Sequence, residues 1–409
     1  MAAHLERVPL FPVEKDCPES VVCITGATGY IAGTLVERLL LSGHTVHATI
    51  RDPSRASHLQ ALPGAAQRLK LFKCDLREPS SFDAAVAGCS VVFHTASPFT
   101  VNVPAGQVQE RLLQPAVRGT EAVLGAASRA GCVRRVVLTS SVAAVYGDAW
   151  DRGRGHVFTE EDWNESCSEA SMPYSYSKAC AERRAWEVCA EQQGPAKWDL
   201  VAICPALVLG PPVSPRADGE SVELVAKICQ GDFWPACPRM GFGVNDVRVV
   251  AAAHCLAAWT PHASGRYIVV GHDVWFSEIA AATARAFPGR VPKPLLPAPT
   301  PLVYLVSPAM GVPRDVVRRC FGKLPLHSSA RTSQDLGLRC GCVSLQDTMA
   351  DMVTAMAKHG VVRAVPAPGP RGVRIFLLEA AKRALFDWPA QKLLLTTVSV
   401  ALVAVLLAR

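Results

Sequence analysis

Thr25-Gly26-Ala27-Thr28-Gly29-Tyr30-Ile31-Ala32-Gly33 is the stretch of sequence that decides the fold. It follows a short apolar run over residues 21–25, which predicts a buried strand. It opens a segment over residues 30–42, whose apolar residues recur with helical spacing until Gly43. A glycine triplet between a first strand and a first helix is the context in which a nucleotide-binding turn forms. The alternative is a glycine-rich turn that binds nothing.

Each of the three glycines has a physical task in such a turn. Gly26 allows the tight turn, Gly29 lets backbone amides approach a pyrophosphate, and Gly33 lets the helix pack closely on the strand. The free N–H groups and the positive dipole end of the helix then face the phosphates. The stretch therefore predicts a dinucleotide site.

The following sequence continues the alternation of strands and helices. Strands are predicted over 45–50, 69–74, 91–95, 135–139 and 200–204, and helices over 119–130, 175–193 and 344–359. This pattern indicates an α/β fold: a Rossmann doubly wound parallel sheet with a smaller, mostly C-terminal substrate-binding region. The Pro- and Gly-rich segments 211–245 and 288–313 are expected to form the substrate pocket.

The residues after the second predicted strand bear on which dinucleotide binds. An acidic residue there would bind the ribose 2′-hydroxyl, whereas an arginine would accommodate a 2′-phosphate. Both kinds are present in Arg51-Asp52, and Arg55 adds a second cation, so the sequence favours NADP(H). The alternative is that both arginines are solvated surface charges.

A second constellation carries acid–base chemistry. Tyr174 and Lys178 stand four residues apart at the start of a predicted helix and therefore share one helix face. Reduction of a carbonyl by a hydride leaves an oxygen that needs a proton, and a nearby ammonium lowers the pKa of a tyrosine so that it can supply one. Ser140 and Ser141, at the end of the fifth predicted strand, offer a hydroxyl to the substrate oxygen.

Five motifs in this order resemble the extended short-chain dehydrogenases/reductases. They are TGATGYIAG (25–33), VFHTASP (92–98), VLTSSVAAVYG (137–147), YSYSK (174–178) and ICPALVLGPP (203–212). Within that superfamily the chain is most similar to the dihydroflavonol reductase, cinnamoyl-CoA reductase and aldehyde reductase group, with the 3β-hydroxysteroid dehydrogenases as neighbours. The resemblance covers residues 20–362.

The resemblance implies a set of site residues. Ser141 would be the catalytic serine, with Ser140 as the alternative, Tyr174 the proton donor, and Lys178 the residue that binds the nicotinamide ribose and tunes Tyr174. The implied cofactor-binding residues are Gly26, Thr28, Gly29, Tyr30, Ile31, Gly33, Arg51, Arg55, Asp75, Leu76, Thr95, Ala96, Ser97, Tyr174, Lys178, Pro205, Leu207 and Val208.

The sequence departs from the group's pattern at three places, and two of these departures narrow the class of substrate. Tyr146 stands where dihydroflavonol reductases usually carry Asn, which argues against a flavonoid. Residues 172–178 read MPYSYSK where cinnamoyl-CoA reductases carry NWYCYGK, which argues against a CoA thioester. Val249 replaces an Asp that we interpret as structural. Trp163, Cys167 and His254 are expected to be packing residues.

The charge distribution and the cysteine content limit the kinds of partner and metal that the protein is expected to bind. The formal net charge is +7, but residues 282–409 carry about +11 and the first 281 residues about −4. A basic segment beside an apolar tail favours a membrane surface over nucleic acid. The 15 cysteines fall mostly in apolar runs without a CxxC pair, so we expect reduced, buried thiols and no metal site.

The expected organisation has five parts. Residues 1–20 are a loose leader, 21–210 the NADP-binding Rossmann domain, 211–362 the substrate-binding region interleaved with the Rossmann sheet, 363–372 a linker, and 373–409 a tail.

The tail pairs an amphipathic segment, 373–386, with an uncharged apolar run, 393–408. This pattern predicts a C-terminal anchor that holds the catalytic domain on the cytosolic face of an intracellular membrane. The endoplasmic reticulum is the first membrane to consider, and without such an anchor the protein would be cytoplasmic. The alternative is a helix packed on the domain or on a partner.

The leading function is therefore reduction of a bulky, fairly apolar aldehyde or ketone by NADP(H). A membrane-bound 3β-hydroxysteroid (sterol) dehydrogenase is a second hypothesis. A nucleotide-sugar epimerase and a non-catalytic NADP(H)-binding scaffold are hypotheses of other classes. Dimerisation through helices of the Rossmann domain, as in many relatives, stays open.

Overall fold

The computed structural model describes residues 7–362, with short gaps at 12–13, 15–16, 98–102, 195, 216–218, 235 and 311. The described residues form two compact units. The first lies within 7–215, 243–273 and 325–344, and the second within 219–242, 274–324 and 345–362. The predicted linker and tail, 363–409, lie outside the described residues.

The strands and helices are as follows. The strands are β1 Val21–Ile24, β2 Thr45–Ile50, β3 Leu69–Lys73, β4 Val91–His94, β5 Arg135–Thr139, β6 Val157–Phe158, β7 Asp199–Pro205, β8 Leu207–Leu209, β9 Ala236–Pro238, β10 Gly241–Asp246, β11 Gly265–Val269, β12 His272–Trp275, β13 Leu296–Ala298 and β14 Leu326–His327. The α-helices are α1 Tyr30–Leu41, α2 Ser57–Gln60, α3 Ala65–Arg68, α4 Asp83–Val86, α5 Gln114–Ala130, α6 Pro173–Ala190, α7 Glu220–Gln230, α8 Val247–Trp259, α9 Phe276–Ala286, α10 Thr300–Val306, α11 Arg314–Cys320, α12 Ala330–Leu336 and α13 Leu345–Lys358.

The first unit is built on a seven-stranded sheet with the order β11-β7-β5-β4-β1-β2-β3. All neighbouring strands in it run parallel. The strand order reverses between β1 and β4, and ligands of open parallel sheets bind outside the carboxyl ends of the strands at such a reversal. The predicted Rossmann sheet is therefore confirmed, and β11 is a strand that the sequence did not predict.

Two apolar layers cover the sheet, one on each face. One core contains Leu35 and Leu39 of α1 together with most of the apolar residues of α8. The other contains Val123 and Leu124 of α5 and Ala185 of α6. Because both faces are buried, the central strands β1, β4 and β7 are nearly continuous apolar runs, whereas the edge strand β3 contains the exposed Lys70 and Lys73. This is why the sequence predicted them within a residue or two.

Part of the expected loose leader packs on the first unit. Val8 and Glu14 are buried, and the Arg38 side chain of α1 donates hydrogen bonds to Glu14 Oε2 at 2.8 Å and to the Val8 carbonyl at 3.2 Å. These hydrogen bonds attach part of the leader to α1, although it precedes the first strand.

The second unit has less regular structure. Helices α9 and α13 pack against each other, and β9 pairs with β13 over three residues. Helix α10 contains no buried residue, although its sequence, TPLVYLV, is largely apolar. Among the described residues no helix is both long and apolar enough to cross a membrane.

Candidate active site

The predicted glycine turn lies between β1 and α1. Gly26 has φ +66°, and a Cβ there would stand 3.0 Å from the Ala96 Cα. Gly29 is the N-cap of α1, and a Cβ there would stand 3.1 Å from the Gly26 carbonyl oxygen. Side chains at either position would fill the cradle in front of the helix N-terminus. This geometry fits the diphosphate of a dinucleotide, which needs close approach to backbone N–H groups.

The other predicted residues of this turn are fixed by local contacts. Tyr30 donates a hydrogen bond to the Gly210 carbonyl at 2.5 Å, which connects the start of α1 to the residues after β8. Ile31 packs partly against the core, and Thr28 is half-buried. At Gly33 a Cβ would stand 2.5 Å from the Val213 side chain. The expected contact of Gly33 with the strand is wrong, since the tight neighbour is the segment after β8.

The residues expected to meet the adenosine lie at the ends of β2 and β3. Arg51 and Arg55 are exposed, with Arg55 in a 3₁₀ turn, Pro53–Arg55, that begins at Asp52. The Asp52 carboxylate accepts hydrogen bonds from the Ser54 N–H at 3.0 Å and from its hydroxyl at 2.7 Å. These bonds lower the pKa of Asp52 and hold it as the cap of the turn. The Asp52 carboxylate is thus engaged in hydrogen bonds within the turn, while Arg51 and Arg55 are exposed to solvent.

Asp75 and Leu76 follow β3. The two carboxylate oxygens of Asp75 accept hydrogen bonds from Nε and Nη2 of Arg77, at 3.0 and 2.6 Å. These bonds lower the pKa of the Asp75 carboxyl to about 2. Leu76 lies over Gly119 of α5, where a Cβ would stand 3.1 Å from the leucine side chain. The pair therefore presents a charged side chain beside an apolar one.

The end of β4 is joined to the end of β1 by a hydrogen-bond network. The Thr25 hydroxyl contacts His94 Nδ1 at 2.9 Å and accepts from the Thr95 and Ala96 N–H groups at 3.1 and 3.0 Å. Burial lowers the pKa of His94 to about 3, so this imidazole is neutral. The network fixes the backbone of Thr95 and Ala96 directly beside Gly26.

The two candidate serines point to different places. Ser140 is buried and donates a short hydrogen bond to Glu182 of α6. The Ser141 hydroxyl oxygen instead accepts from the Ala143 N–H at 3.1 Å, at the start of a 3₁₀ turn, and is half-buried. The structure therefore commits the Ser140 hydroxyl to the protein interior and leaves the Ser141 O–H to donate elsewhere.

Tyr174 and Lys178 lie together in the first two turns of α6. Lys178 Nζ is 5.6 Å from the centre of the Tyr174 ring and donates to Ser97 Oγ at 3.0 Å. Burial lowers the pKa of Lys178 to about 8. The helix is preceded by Met172, whose φ of +56° is the one positive value outside glycine among the described residues. Such strain is typical of functional sites, and it lies two residues before Tyr174.

The remaining predicted residues complete one edge of the sheet. Pro205 ends β7, and β8 carries the half-buried Leu207 and the buried Val208. Val244 and Asn245 of β10 pair with these two residues of β8. Together with Ser97 and Ser141, this segment lies at the carboxyl ends of the parallel strands.

Three side chains expected to be packing residues are placed as follows. His254 is buried, contacts the Thr139 hydroxyl at 2.7 Å, and has its pKa lowered to about 4 by burial. The Arg266 guanidinium lies 3.9 Å from the centre of the Trp163 ring. Cys167 is buried, and its N–H donates to Asn164.

Glu182 is a site residue that the sequence analysis missed. It lies four residues after Lys178 on α6 and accepts hydrogen bonds from Ser140, Trp186 and Arg266. The repeat of four residues from Tyr174 through Lys178 to Glu182 was the available signal. The sheet order, the glycine cradle and the Tyr/Lys pair on one helix define the class of Rossmann-type dehydrogenases and reductases.

Comparisons with known proteins give the family. Residues 22–244 match the NAD dependent epimerase/dehydratase family. A cinnamoyl-CoA reductase of Medicago truncatula is 39% identical over 275 residues, which cover 66% of this chain and 81% of that protein. Tetraketide alpha-pyrone reductase 1 of Arabidopsis thaliana is 32% identical over 359 residues, which cover 86% of this chain and 99% of that protein.

A solved structure extends this comparison. The yeast methylglyoxal/isovaleraldehyde reductase Gre2, complexed with NADPH, has a TM-score of 0.70 at 26% identity and covers 83% of this chain and 99% of its own. The chain belongs to the NAD dependent epimerase/dehydratase family. It is an NADP(H)-dependent oxidoreductase, as the sequence predicted.

Proposed function

We propose that this enzyme reduces the carbonyl group of a bulky, fairly apolar aldehyde or ketone, with Tyr174 as the proton donor. The observation that carries the proposal is the position of Lys178 Nζ, 5.6 Å from the Tyr174 ring centre on the same face of α6. The matched relatives named above are reductases of a cinnamoyl-CoA and of a tetraketide alpha-pyrone, which supports an extended organic carbonyl substrate.

The cofactor residues follow from the cradle. The backbone at Gly26 and Gly29 and the N-terminus of α1 would hold the diphosphate, and Arg51 and Arg55 the 2′-phosphate. The positions assigned to the rest of the cofactor are Asp75, Leu76, Thr95, Ala96, Ser97, Pro205, Leu207 and Val208. NADPH, when bound, supplies the hydride to the carbonyl carbon.

The proton that the reduction needs comes from a side chain of the protein. As the carbonyl oxygen gains negative charge, the Tyr174 hydroxyl donates its proton to that oxygen. The Lys178 ammonium beside the ring stabilises the phenolate that remains, because an opposite charge nearby favours the ionised form. The Ser141 hydroxyl, whose oxygen already accepts from Ala143, donates a second hydrogen bond to the substrate oxygen. Both donors act on charge that develops in the transition state.

The test is a kinetic one on the full chain in mild detergent. Oxidation of NADPH and NADH is followed with aromatic aldehydes, dihydroflavonols, cinnamoyl thioesters and 3-ketosteroids. We expect NADPH-dependent turnover that falls roughly a hundred- to ten-thousandfold in Tyr174→Phe. Tyr176→Phe, which removes a hydroxyl two residues away on the same helix, is the matched control and should keep its activity.

The other outcomes separate the alternatives. Turnover that persists in Tyr174→Phe overturns the proton-donor assignment. NAD(H)-linked conversion of a steroid supports the sterol dehydrogenase. Tight NADPH binding by folded protein without turnover of any carbonyl supports the scaffold or the epimerase.

We also propose that the C-terminal segment attaches the enzyme to a membrane. The proposal rests on the sequence of the tail, which places Arg374, Lys382, Arg383 and Lys392 ahead of the uncharged apolar run 393–408. Cations on the N-terminal side of an apolar helix favour a catalytic domain on the cytosolic face. The endoplasmic reticulum is the first membrane to examine.

A further inference from the structure

His327 is held by both oxygens of one carboxylate. Its Nδ1 lies 2.6 Å from Asp273 Oδ1, and its backbone N–H donates to Asp273 Oδ2 at 2.8 Å. The two residues are 54 positions apart in the sequence, and both belong to the first unit. Because both carboxylate oxygens face His327, Nδ1 is the ring nitrogen that donates to Asp273.

The other ring nitrogen of His327 has no such partner. The side chain is 0% exposed, and Nε2 makes no hydrogen bond to any residue that the structure describes. In the tautomer set by Asp273, Nε2 bears a lone pair and is an acceptor. A buried acceptor without a donor costs about 1–3 kcal/mol, so a donor group brought to this nitrogen would be stabilised there.

The position of His327 places this acceptor at the candidate active site. In β14, His327 is the register partner of Phe158, and its ring lies 5.3 Å from that of Tyr146, which stacks on Phe158. A Cβ on Gly243 would stand 2.9 Å from His327 Cε1 and 3.0 Å from the Ala206 Cβ. The imidazole therefore lies beside Ala206, which separates Pro205 from Leu207.

Tyr146 gives a second connection to the reacting groups. It follows Ser141 by five residues, and its N–H donates to the Val142 carbonyl at 3.0 Å. Tyr146 and Ala206 also pack on one apolar cluster, which contains Val142 and Phe158. Val142, which follows the proposed catalytic serine, and Ala206, in the proposed nicotinamide-covering segment, thus border the same cluster as Tyr146, whose ring lies 5.3 Å from that of His327.

We propose that His327 is a specificity-determining residue, whose Nε2 accepts a hydrogen bond from a hydroxyl group of the carbonyl substrate. The inference rests on the proposed reductase function and adds a substrate class to it, namely aromatic carbonyl compounds that carry a free hydroxyl. The half-buried ring of Tyr146, which stacks on the buried Phe158, gives an aromatic face for such a ring. A site that hydrogen-bonds a substrate hydroxyl discriminates strongly against analogues in which that donor is blocked.

The test compares ring-hydroxylated aromatic aldehydes with the methyl ethers of the same compounds. The ratio of their kcat/KM values is measured with NADPH for the full chain. We expect the hydroxylated member of at least one positional pair to be favoured roughly ten- to a hundredfold, and this ratio to fall to about one in His327→Phe. His156→Phe is the matched control, since His156 packs at the edge of the same Phe158 ring but its Nε2 contacts Asp162. Its ratio should equal that of the wild type.

Asp273→Asn separates hydrogen bonding from packing. The amide oxygen of the new Asn must still accept from the backbone N–H of His327, so its NH₂ group faces Nδ1. Nδ1 then has to accept, and the ring proton moves to Nε2. The imidazole then keeps its place but donates rather than accepts. We expect this variant to lose the preference for the hydroxylated aldehyde while it retains turnover of the methyl ether, a change that a packing role of His327 would not cause.

Failure of the inference is distinguishable from failure of the reductase function. If wild-type enzyme reduces aldehydes but shows a ratio of about one at every ring position, the inference is overturned and the reductase remains. If nothing is turned over, calorimetric titration of the NADP⁺-loaded chain with the same pairs decides. A hydroxyl preference in binding that Asp273→Asn abolishes supports the acceptor role, and equal binding overturns it.

Discussion

Lys178 is the residue whose proton should limit activity at high pH. Burial lowers its pKa to about 8, so the ammonium is present below that pH and is lost as the pH rises through it. The Tyr174 phenolate loses its stabilising charge at the same time. We therefore expect kcat/KM for reduction to fall about tenfold per pH unit above pH 8, as measured at saturating NADPH from pH 6 to 10.

An arginine at this position provides the comparison. Lys178→Arg keeps a positive charge throughout this range, so its lower activity should show no alkaline decline. Lys73→Arg, an exchange at an exposed strand residue, should retain the wild-type profile. An identical decline in Lys178→Arg would assign the titration to another group.

The sequence predicts residues whose role depends on the local backbone and misses those that depend on a distant one. Gly26 could be predicted because a turn between a strand and a helix needs its positive φ. The neighbour of Gly33 could not be predicted, since Val213 lies 180 residues away. The choice between Ser140 and Ser141 also depended on a distant group, because the Glu182 carboxylate binds Ser140.

Helix α6 holds Tyr174, the proposed proton donor, and Glu182 attaches this helix to the sheet. The Glu182 carboxylate is 1% exposed and pairs with Arg266 of β11 at 2.7 Å. Arg266 also donates to the Asp162 carbonyl at 2.6 Å. Removing one charge from a buried pair leaves the other uncompensated, at a cost of about 3–5 kcal/mol. Glu182→Gln should lower the free energy of unfolding by roughly this amount in urea titrations.

A second glutamate on α6, Glu187, provides the control substitution for Glu182→Gln. Glu187 is exposed and pairs with Arg184 at 3.0 Å, so Glu187→Gln should change the free energy of unfolding by at most about 0.5 kcal/mol. Equal effects of the two substitutions would show that Glu182 does not anchor the helix. The sequence predicted the shared face of Tyr174 and Lys178, but the partner of Glu182 lies 84 residues further along the chain.

At the scale of the whole molecule, the chain leaves the first unit and returns to it twice. Residues 243–273 supply β11 and α8, and residues 325–344 supply β14 with His327. Local patterns predicted the first five strands because each is a short run rich in apolar residues, bounded by turn residues. They did not predict β9 or β13, since strands of three residues are too short for a period to be recognised. The Asp273–His327 pair could not be predicted either, because its two residues are 54 positions apart and the chain leaves the first unit between them.

The proposed attachment of the whole enzyme to a membrane gives the last prediction. The run 393–408 has no charge over about 16 residues, somewhat fewer than the ~20 of a typical span, and a basic amphipathic segment precedes it. We expect the full chain to sediment with vesicles of phosphatidylcholine and phosphatidylserine, and a chain ending at Val362 to stay in the supernatant with its NADPH-dependent kcat/KM within about twofold of the full chain. Lys382→Glu with Arg383→Glu should weaken sedimentation with the anionic vesicles more than with phosphatidylcholine alone, because it removes the attraction to the negative surface. A truncated chain that loses turnover would instead show that the tail packs on the catalytic unit, and equal sedimentation of both chains would place the membrane contact elsewhere.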